Sequence, residues 1–238
     1  MSATISTHFN PPFSYPFYFM RSAVLAGVSE NSAAMQGTMM DFGCGSKPYK
    51  TLFKVDKYIG VDYANEGHSH DNEDIDVYYD GKTIPFPDNH FDSILCSEVF
   101  EHLFELETLL KELNRVLKSG GKMLVTCPFV WNEHEVPIDY ARYTQYSLKY
   151  LFEKHNFNVV KQERKGSFVE VIVQMINLYL LETVFGRYTL KEYYGWRVIN
   201  RVQPFFMAIN NVIGYGLSRI LPKRYDLYLS NVFVVEKC

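Results

Sequence analysis

Short apolar segments alternate with helical segments along most of the chain, and this order limits the fold more than any other feature. The predicted strands are apolar throughout rather than at alternate residues, which is typical of strands buried on both faces of a parallel sheet. The two clearest are Thr38–Phe42 and Lys57–Asp62. Further strands are predicted at 73–79, 91–99, 122–128, 158–165 and 229–237. The sequence therefore predicts an α/β protein with a doubly wound, mostly parallel sheet.

Helical periodicity and the apolar tail divide the chain into four predicted regions. Helices are predicted at 17–34, 46–54, 103–117 and 144–157, the last with Thr144 as its N-cap. The alternation of strands and helices stops before 167–222. This segment contains two amphipathic helical patterns, and polar residues interrupt both too often for a membrane span. The predicted regions are an N-terminal arm and helix (1–36), a core (37–166), a helical insertion (167–222) and a final strand (223–238).

The end of the first strand carries the sequence Asp-Phe-Gly-Cys-Gly, and it raises the question of a ligand. Gly43 and Gly45 remove side chains where a ligand can approach the backbone, at the sheet edge where such folds bind ligands. Asp62 ends the second strand, and an acid there typically accepts hydrogen bonds from ribose hydroxyls. Together these residues predict a nucleoside-containing cofactor. A tight turn beside a surface acid is the structural alternative.

Three other classes of function fit the sequence less well. Pro48 stands where a dinucleotide fingerprint needs its third glycine, which counts against a nicotinamide-dependent oxidoreductase. The net charge of -3 argues against nucleic-acid binding. The four cysteines form no C-x-x-C pair, no histidine lies at ligand spacing from them, and no metal ligand is predicted.

Four separate segments resemble the class I S-adenosylmethionine methyltransferases, especially the small-molecule enzymes related to quinone biosynthesis. They read DFGCG, IGVD, DGKTIPFPDNHFDSILCSEVFEHL and LKELNRVLKSGGKMLVTCP, and they occur in family order within 37–165. The resemblance implies a Rossmann-like, seven-stranded sheet with an antiparallel last strand. It also implies methyl transfer from S-adenosylmethionine. Lys47 departs from the family pattern, in which a third glycine is often seen.

The resemblance also implies roles for individual residues around the cofactor. The turn from Asp41 to Gly45 would hold the amino-acid end of S-adenosylmethionine, and Asp62 would bind its ribose. Asp80 would meet the adenine amine, and the alternative is that it is a turn acid. The implied cofactor-binding residues are Asp41, Gly43, Cys44, Gly45, Asp62, Tyr63, Asp80, Gly81 and Ser97, and Glu98 lies with Ser97 near the sulfonium.

The loop after the fifth predicted strand is rich in polar side chains and is predicted to face the methyl acceptor. His134 stands between two acids, so its pKa could be raised, and it is a candidate general base. Arg142 is a candidate ligand for an anionic group of the substrate. The alternative is that Asp139 and Arg142 pair and only fix the loop. His102 is interpreted mainly as a capping or packing residue. The predicted catalytic residues are His134, Glu98 and Arg142.

The predicted acceptor is a small molecule, with a hydroxyl on a sugar, glycan precursor or secondary metabolite as the favoured group. The helices of 167–222 are predicted to cover the acceptor site, with a homodimer interface or a peripheral membrane contact as alternatives. A cytoplasmic location is expected, since the N-terminus has no signal-peptide pattern. A module that binds S-adenosylmethionine without turnover is the alternative function.

Overall fold

A seven-stranded sheet organises the protein, which the computed structural model describes for residues 5–63, 74–186 and 190–238. The order of its strands is β3-β2-β1-β4-β5-β7-β6. The strands are β1 (Thr38–Phe42), β2 (Lys57–Tyr63), β3 (Val77–Tyr79), β4 (Phe91–Ser97), β5 (Leu117–Pro128), β6 (Phe157–Lys165) and β7 (Ser230–Lys237). The helices are α1 (Tyr18–Asn31), α2 (Leu106–Val116), α3 (Gln145–Lys154), α4 (Phe168–Tyr179) and α5 (Leu190–Ile220).

Strand directions follow the sequence prediction. β1 pairs in parallel with both β2 and β4, β2 pairs in parallel with β3, and β4 pairs in parallel with β5. β7 runs antiparallel to β6: the Leu229 N–H donates to the Lys165 carbonyl at 2.9 Å, and the Cys238 N–H donates to the Asn156 carbonyl at 3.1 Å. The predicted mostly parallel sheet with an antiparallel last strand is confirmed.

Burial explains why these segments form strands and helices. One apolar face of β1, β4 and β5, with Met40, Ile94 and Met123, enters a core together with the apolar face of α2. That face consists of Leu106, Leu109, Leu110, Leu113 and Val116, all of which are buried. α3 begins as predicted, because the Thr144 side chain accepts a hydrogen bond from the Ser147 N–H.

Three segment predictions differ from the structure. The predicted helix at 46–54 is reduced to a 3-10 turn at Lys50–Leu52, because Lys47 has a φ of +52° and precedes a proline that disfavours helix. The third strand begins at Val77 rather than 73, and residue 73 lies outside the described chain. β5 begins at Leu117 rather than 122, through an irregularity where Gly120 has a φ of +75°.

The described chain divides into two compact units. The first contains 26–163 and 231–238, and with them the central sheet and its core. The second contains 6–25 and 164–230, with α4 and α5, and there Asn177 Nδ2 donates to Asn211 Oδ1 at 2.7 Å.

The predicted insertion is helical where it is described, although 187–189 lie outside the described residues. No described helix is long and apolar enough to span a bilayer. The four-region division of the chain stays a prediction.

Candidate active site

The turn after β1 has a conformation that glycine adopts most easily. Gly43 and Gly45 have φ angles of +72° and +44°, in the left-handed region. A Cβ at Gly43 would lie 2.3 Å from Val99 Cγ2. The Gly43 N–H also donates to the Val61 carbonyl at 2.8 Å, so the turn is tied to the end of β2.

The carboxylate of Asp62 holds the end of β2 against the glycine turn. Its Oδ2 accepts a hydrogen bond from the Gly45 N–H at 2.7 Å, and its Oδ1 accepts one from the Tyr63 N–H at 2.7 Å. A carboxylate oxygen accepts two hydrogen bonds, so both oxygens keep capacity for a ligand hydroxyl. The two features predicted to bind a nucleoside are therefore in direct contact.

A cavity of about 550 Å³ opens at the carboxyl ends of β1, β2 and β4. This volume lies in the range of small-molecule and cofactor sites. The predicted site residues that line it are Gly43, Gly45, Asp62, Tyr63, Gly81 and Glu98. The other predicted site residues, namely Asp41, Cys44, Asp80, Ser97, His134 and Arg142, lie outside its lining.

Asp41 is buried beneath the turn and accepts a hydrogen bond from the Tyr58 hydroxyl. Burial raises its pKa to about 7; the Tyr58 hydrogen bond opposes this increase, and the negative charge of Asp62 adds to it. A buried carboxylate costs stability that a cationic ligand group would recover, so Asp41 suits the amine of an amino acid.

Asp41→Asn should stabilise the ligand-free protein at neutral pH. The folded-state pKa of about 7 lies above the unfolded value of about 4. The folded state therefore binds this proton more tightly, and stability falls as pH rises from about 4 to 7. The Asn variant has no titrating carboxylate at this position, so its stability does not fall with pH in this way. In urea denaturation we expect its advantage over the native protein to grow by roughly 2 kcal/mol between pH 5 and pH 8.

Asp92→Asn is the matched control for the pH effect. Lys118 and the Thr38 N–H bind the Asp92 carboxylate and lower its pKa. That contribution is complete above pH 5, so the control should lose similar stability at pH 5 and pH 8. An advantage of Asp41→Asn that does not change with pH would contradict the assigned pKa.

Lys47 fills the space behind the turn, and this buried position was not predicted from the sequence. Its Nζ lies 2.8 Å from Asp76 Oδ2, and its side chain is 3% exposed. The same Asp76 oxygen accepts the Gly60 N–H at 2.6 Å. Cys44 is buried close by, and burial raises the pKa of its thiol well above the ordinary value. Cys44 is therefore an unreactive packing residue in this position.

Lys47→Met should destabilise the protein by about 1–2 kcal/mol in urea denaturation, because the ion pair with Asp76 is lost while the aliphatic contacts remain. Lys54 is exposed and offers a matched control. Lys54→Met should change stability by less than about 0.5 kcal/mol. Equal effects of the two substitutions would show that the ion pair between Lys47 and Asp76 contributes nothing to stability.

The loop after β3 presents Gly81, rather than Asp80, to the cavity. Asp80 Oδ1 accepts hydrogen bonds from the N–H groups of Lys82 and Thr83, both at 2.9 Å. This is the geometry of a turn acid. Gly81 has a φ of +84°, and a Cβ there would lie 2.9 Å from Tyr63 Cε2. The contact of Asp80 with adenine stays a prediction.

The end of β4 carries a strained acidic residue. Glu98 lines the cavity with a φ of +56°, a conformation uncommon for residues other than glycine. Its N–H donates to the Thr126 carbonyl at 3.0 Å. Ser97 Oγ lies 2.8 Å from Thr126 Oγ1 and so links β4 to β5. Strained residues of this kind concentrate at functional sites.

His134 differs from the expectation of a raised pKa. Burial lowers the pKa of its imidazole, and the neighbouring His102 lowers it further. The contacting acid is Asp139, whose Oδ2 lies 3.1 Å from His134 Nδ1, rather than a sequence neighbour. The prediction failed because a flanking acid in sequence need not face the ring, whereas desolvation acts on every buried imidazole.

Arg142 fixes the loop, as in the alternative interpretation. Its Nη1 and Nη2 bind the two oxygens of Asp139 at 2.5 Å and 2.7 Å. The remaining donors reach the carbonyls of Trp131, Asn132 and Ala141. All five N–H donors of the guanidinium are thus used, which leaves none for a substrate anion.

Arg142→Lys should destabilise the protein by about 2 kcal/mol, although the charge is kept, because an ammonium cannot reproduce the planar set of five donors. Thermal and urea denaturation would measure this effect. Arg201 is exposed, and Arg201→Lys is the control with an expected change below about 0.5 kcal/mol. Unchanged stability in Arg142→Lys would show that the loop does not depend on the hydrogen bonds of the guanidinium.

Two neighbouring residues after β4 were underestimated from the sequence. Glu101 was not singled out, yet it is fully buried, and burial raises its pKa well above the usual range. His102 lines the cavity, and its ring centre lies 4.8 Å from that of His134. The sequence offered one signal for these two residues: an acid and a histidine follow directly after an apolar strand.

Comparison with known proteins finds a family match over the segment that contains the glycine turn and Asp62. Residues 40–125 match the family described as methyltransferase domain. Over 60 residues the chain is 42% identical to the ubiquinone/menaquinone biosynthesis C-methyltransferase UbiE of Shewanella oneidensis. That alignment covers 25% of this chain and 24% of UbiE, so the chain spans about a quarter of the relative's length.

Solved structures support the fold over most of the chain. A chain of the Haloferax volcanii complex that contains the Trm112 methyltransferase activator has a TM-score of 0.54 at 18% identity, and 91% of each chain is covered. The phosphoethanolamine N-methyltransferase 2 of Haemonchus contortus, crystallised with S-adenosyl-L-methionine, has a TM-score of 0.50 at 17% identity. That match covers 91% of this chain and 52% of the other. The predicted Rossmann-like fold and the resemblance to class I methyltransferases are confirmed.

Proposed function

We propose that the protein transfers a methyl group from S-adenosylmethionine to a small-molecule acceptor. The observation that carries this proposal is the direct contact between the glycine turn and Asp62 at the mouth of the cavity. Both features lie within 40–125, the segment that matches the methyltransferase domain. The relative and the solved structure named as methyltransferases support the same activity.

The residues present fit S-adenosylmethionine. Gly43 carries no side chain and lines the cavity, so its backbone is open to a ligand. The glycine turn would hold the amino-acid end of the cofactor, with the buried carboxylate of Asp41 beneath it. Asp62 would accept hydrogen bonds from the ribose hydroxyls. Tyr63 and Gly81 line the cavity on the side proposed for adenine.

Methyl transfer of this kind depends mainly on positioning and the exclusion of water. Bound S-adenosylmethionine supplies an electrophilic methyl group on a sulfonium, which leaves as a neutral thioether. The chain has to orient the acceptor and take up its proton. Glu98 lines the cavity on the strained end of β4, and we assign it this proton.

The proposed acceptor group is a hydroxyl, as on a sugar, glycan precursor or secondary metabolite. The acidic and histidine side chains in the cavity lining favour a polar acceptor, since Glu98, Glu105, Glu135 and His102 all line it. The proposed catalytic role of Arg142 is not retained, because its donors are already used. His134 is close to the cavity through His102 but does not line it.

The wider setting of the protein stays a set of predictions. These are cover of the acceptor by 167–222, a homodimer and a cytoplasmic location. A module that binds S-adenosylmethionine without turnover is the competing function. Peripheral membrane contact gains no support from the described residues.

A transfer assay tests the proposed function directly. Purified protein would be incubated with methyl-labelled S-adenosylmethionine and a panel of sugar nucleotides, glycans, phenols and amines. We expect label to enter at least one hydroxyl-bearing class, with release of S-adenosylhomocysteine. Transfer to amines alone would contradict the assigned acceptor. Tight cofactor binding without any transfer would favour the competing module.

A further inference from the structure

Three side chains from two different loops converge beside the cavity. Glu101 and His102 belong to the turn after β4, and His134 belongs to the loop after β5. Glu101 Oε1 lies 3.8 Å from His102 Nε2 and 3.9 Å from His134 Nε2. One potential ligand atom from each residue lies within 4.8 Å of the other two. A common centre therefore exists between the three atoms.

Hydrogen bonds fix which nitrogen of each imidazole faces this centre. His102 Nδ1 lies 3.0 Å from the carbonyl oxygen of Ile138, which can only accept, so this nitrogen carries the proton. His134 Nδ1 faces the Asp139 carboxylate at 3.1 Å in the same way. In the neutral form of each ring, the Nε2 atom then presents a lone pair towards Glu101. An Nδ1 bound to a carbonyl or carboxylate is also the usual outer contact of a metal-binding histidine.

Among the described residues, no hydrogen bond to its side chain offsets the burial of Glu101. Its side chain has no exposed area, and neither carboxylate oxygen accepts a hydrogen bond from another residue in the described part of the chain. Arg142 is close enough to influence it, but all five of its donors are used elsewhere. A cation between the three side chains would give the buried Glu101 carboxylate a partner of opposite charge.

We propose that Glu101, His102 and His134 bind a divalent first-row transition-metal ion. Two imidazoles and one carboxylate are a ligand set suited to Zn²⁺, Fe²⁺, Co²⁺ or Mn²⁺, whereas Mg²⁺ prefers oxygen ligands. Ligand bonds of about 2.0–2.2 Å require each side chain to move inwards by roughly half an ångström. No metal ligand is predicted from the sequence, because the two histidines are 32 positions apart and come together only in the fold.

The position of the site gives the ion a role at the acceptor end. His102 contributes both to the three-residue cluster and to the cavity wall, and Glu135, 3.9 Å from His102 Nε2, also lines the cavity. Three protein ligands leave a coordination position for an acceptor oxygen, as in catalytic metal sites. This role rests on the proposed methyl transfer, whereas metal binding itself does not.

Cobalt titration of the tag-free protein tests the site. Protein treated with EDTA and desalted would be titrated with CoCl₂, and the visible absorption bands of bound Co²⁺ would be recorded. We expect one ion per chain with a micromolar or lower Kd. Glu101→Gln, His102→Gln and His134→Gln should each weaken binding at least 10-fold. His90→Gln, which removes a histidine outside the cluster, should bind as the native protein does.

Several outcomes separate this proposal from protein misfolding and from the proposed function. Circular dichroism and S-adenosylhomocysteine binding would report the fold of each variant. If Glu101→Gln fails to fold, the two histidine variants still decide. The metal site would be overturned if the native protein bound no Co²⁺ at about 100 μM, a concentration that fills even a weak site. It would also be overturned if the folded histidine variants kept the native affinity. Failure to bind S-adenosylhomocysteine while Co²⁺ binds would instead overturn the proposed function alone.

Discussion

Replacing Asp62 by alanine should lower the affinity for S-adenosylhomocysteine by about 100-fold or more. The substitution removes the proposed acceptor of two ribose hydrogen bonds, and hydrogen bonds to a charged group contribute about 1.5–3 kcal/mol each. It also releases the Gly45 N–H, which Asp62 binds at 2.7 Å. Equilibrium dialysis with labelled S-adenosylhomocysteine would measure the change, since the product requires no acceptor.

Asp88→Ala is the control for the loss at Asp62. Asp88 is an exposed acid that pairs with Arg115 at 2.9 Å and does not line the cavity. We expect its affinity to stay within about 3-fold of the native value, since surface substitutions change energies by less than about 0.5 kcal/mol. Native affinity in Asp62→Ala would mean that the ribose lies elsewhere.

Glu98→Gln should lower the rate of methyl transfer to a hydroxyl acceptor by about 100-fold, because general-base catalysis contributes about 10²–10⁴-fold. Glutamine keeps the size of the side chain but cannot accept the proton of the acceptor. Affinity for the cofactor should stay within about 3-fold. A split between kcat and cofactor affinity, measured in the transfer assay and by dialysis, is therefore the expected signature.

Glu105→Gln provides a control within the same cavity. Glu105 lines the cavity too, but it lies at the start of α2 rather than on the strained end of β4. We expect a change in rate below about 3-fold, as for surface substitutions. A native rate in Glu98→Gln, or an equal loss in both variants, would show that another group takes the proton.

The proposed cofactor side of the site could be located from the sequence because its signals are local. The glycines after β1 and the acid at the end of β2 follow from strand ends that can be read directly from apolar runs. Parallel pairing then brings them together at one sheet edge. The structure adds a contact that no spacing could give, the hydrogen bond from the Gly45 N–H to Asp62.

The acceptor side was less predictable because its contacts join distant segments. The pKa of His134 follows from burial and from His102, which is 32 positions away in the chain. The local sequence around Lys47 suggested a helix. In the structure Lys47 has a positive φ and forms an ion pair with Asp76, which lies 29 positions away in the chain. Glu101 looked like an ordinary charged residue, since sequence alone does not reveal that its side chain is fully buried.

Calorimetric titration of the unmodified protein with S-adenosylmethionine, S-adenosylhomocysteine and NAD tests the central claim most directly. The proposed function predicts micromolar binding of both sulfur nucleosides with one site per chain, and no measurable binding of NAD. Binding of NAD alone would indicate an oxidoreductase site. Binding of none of the three would contradict the claim that the glycine turn and Asp62 form a cofactor site.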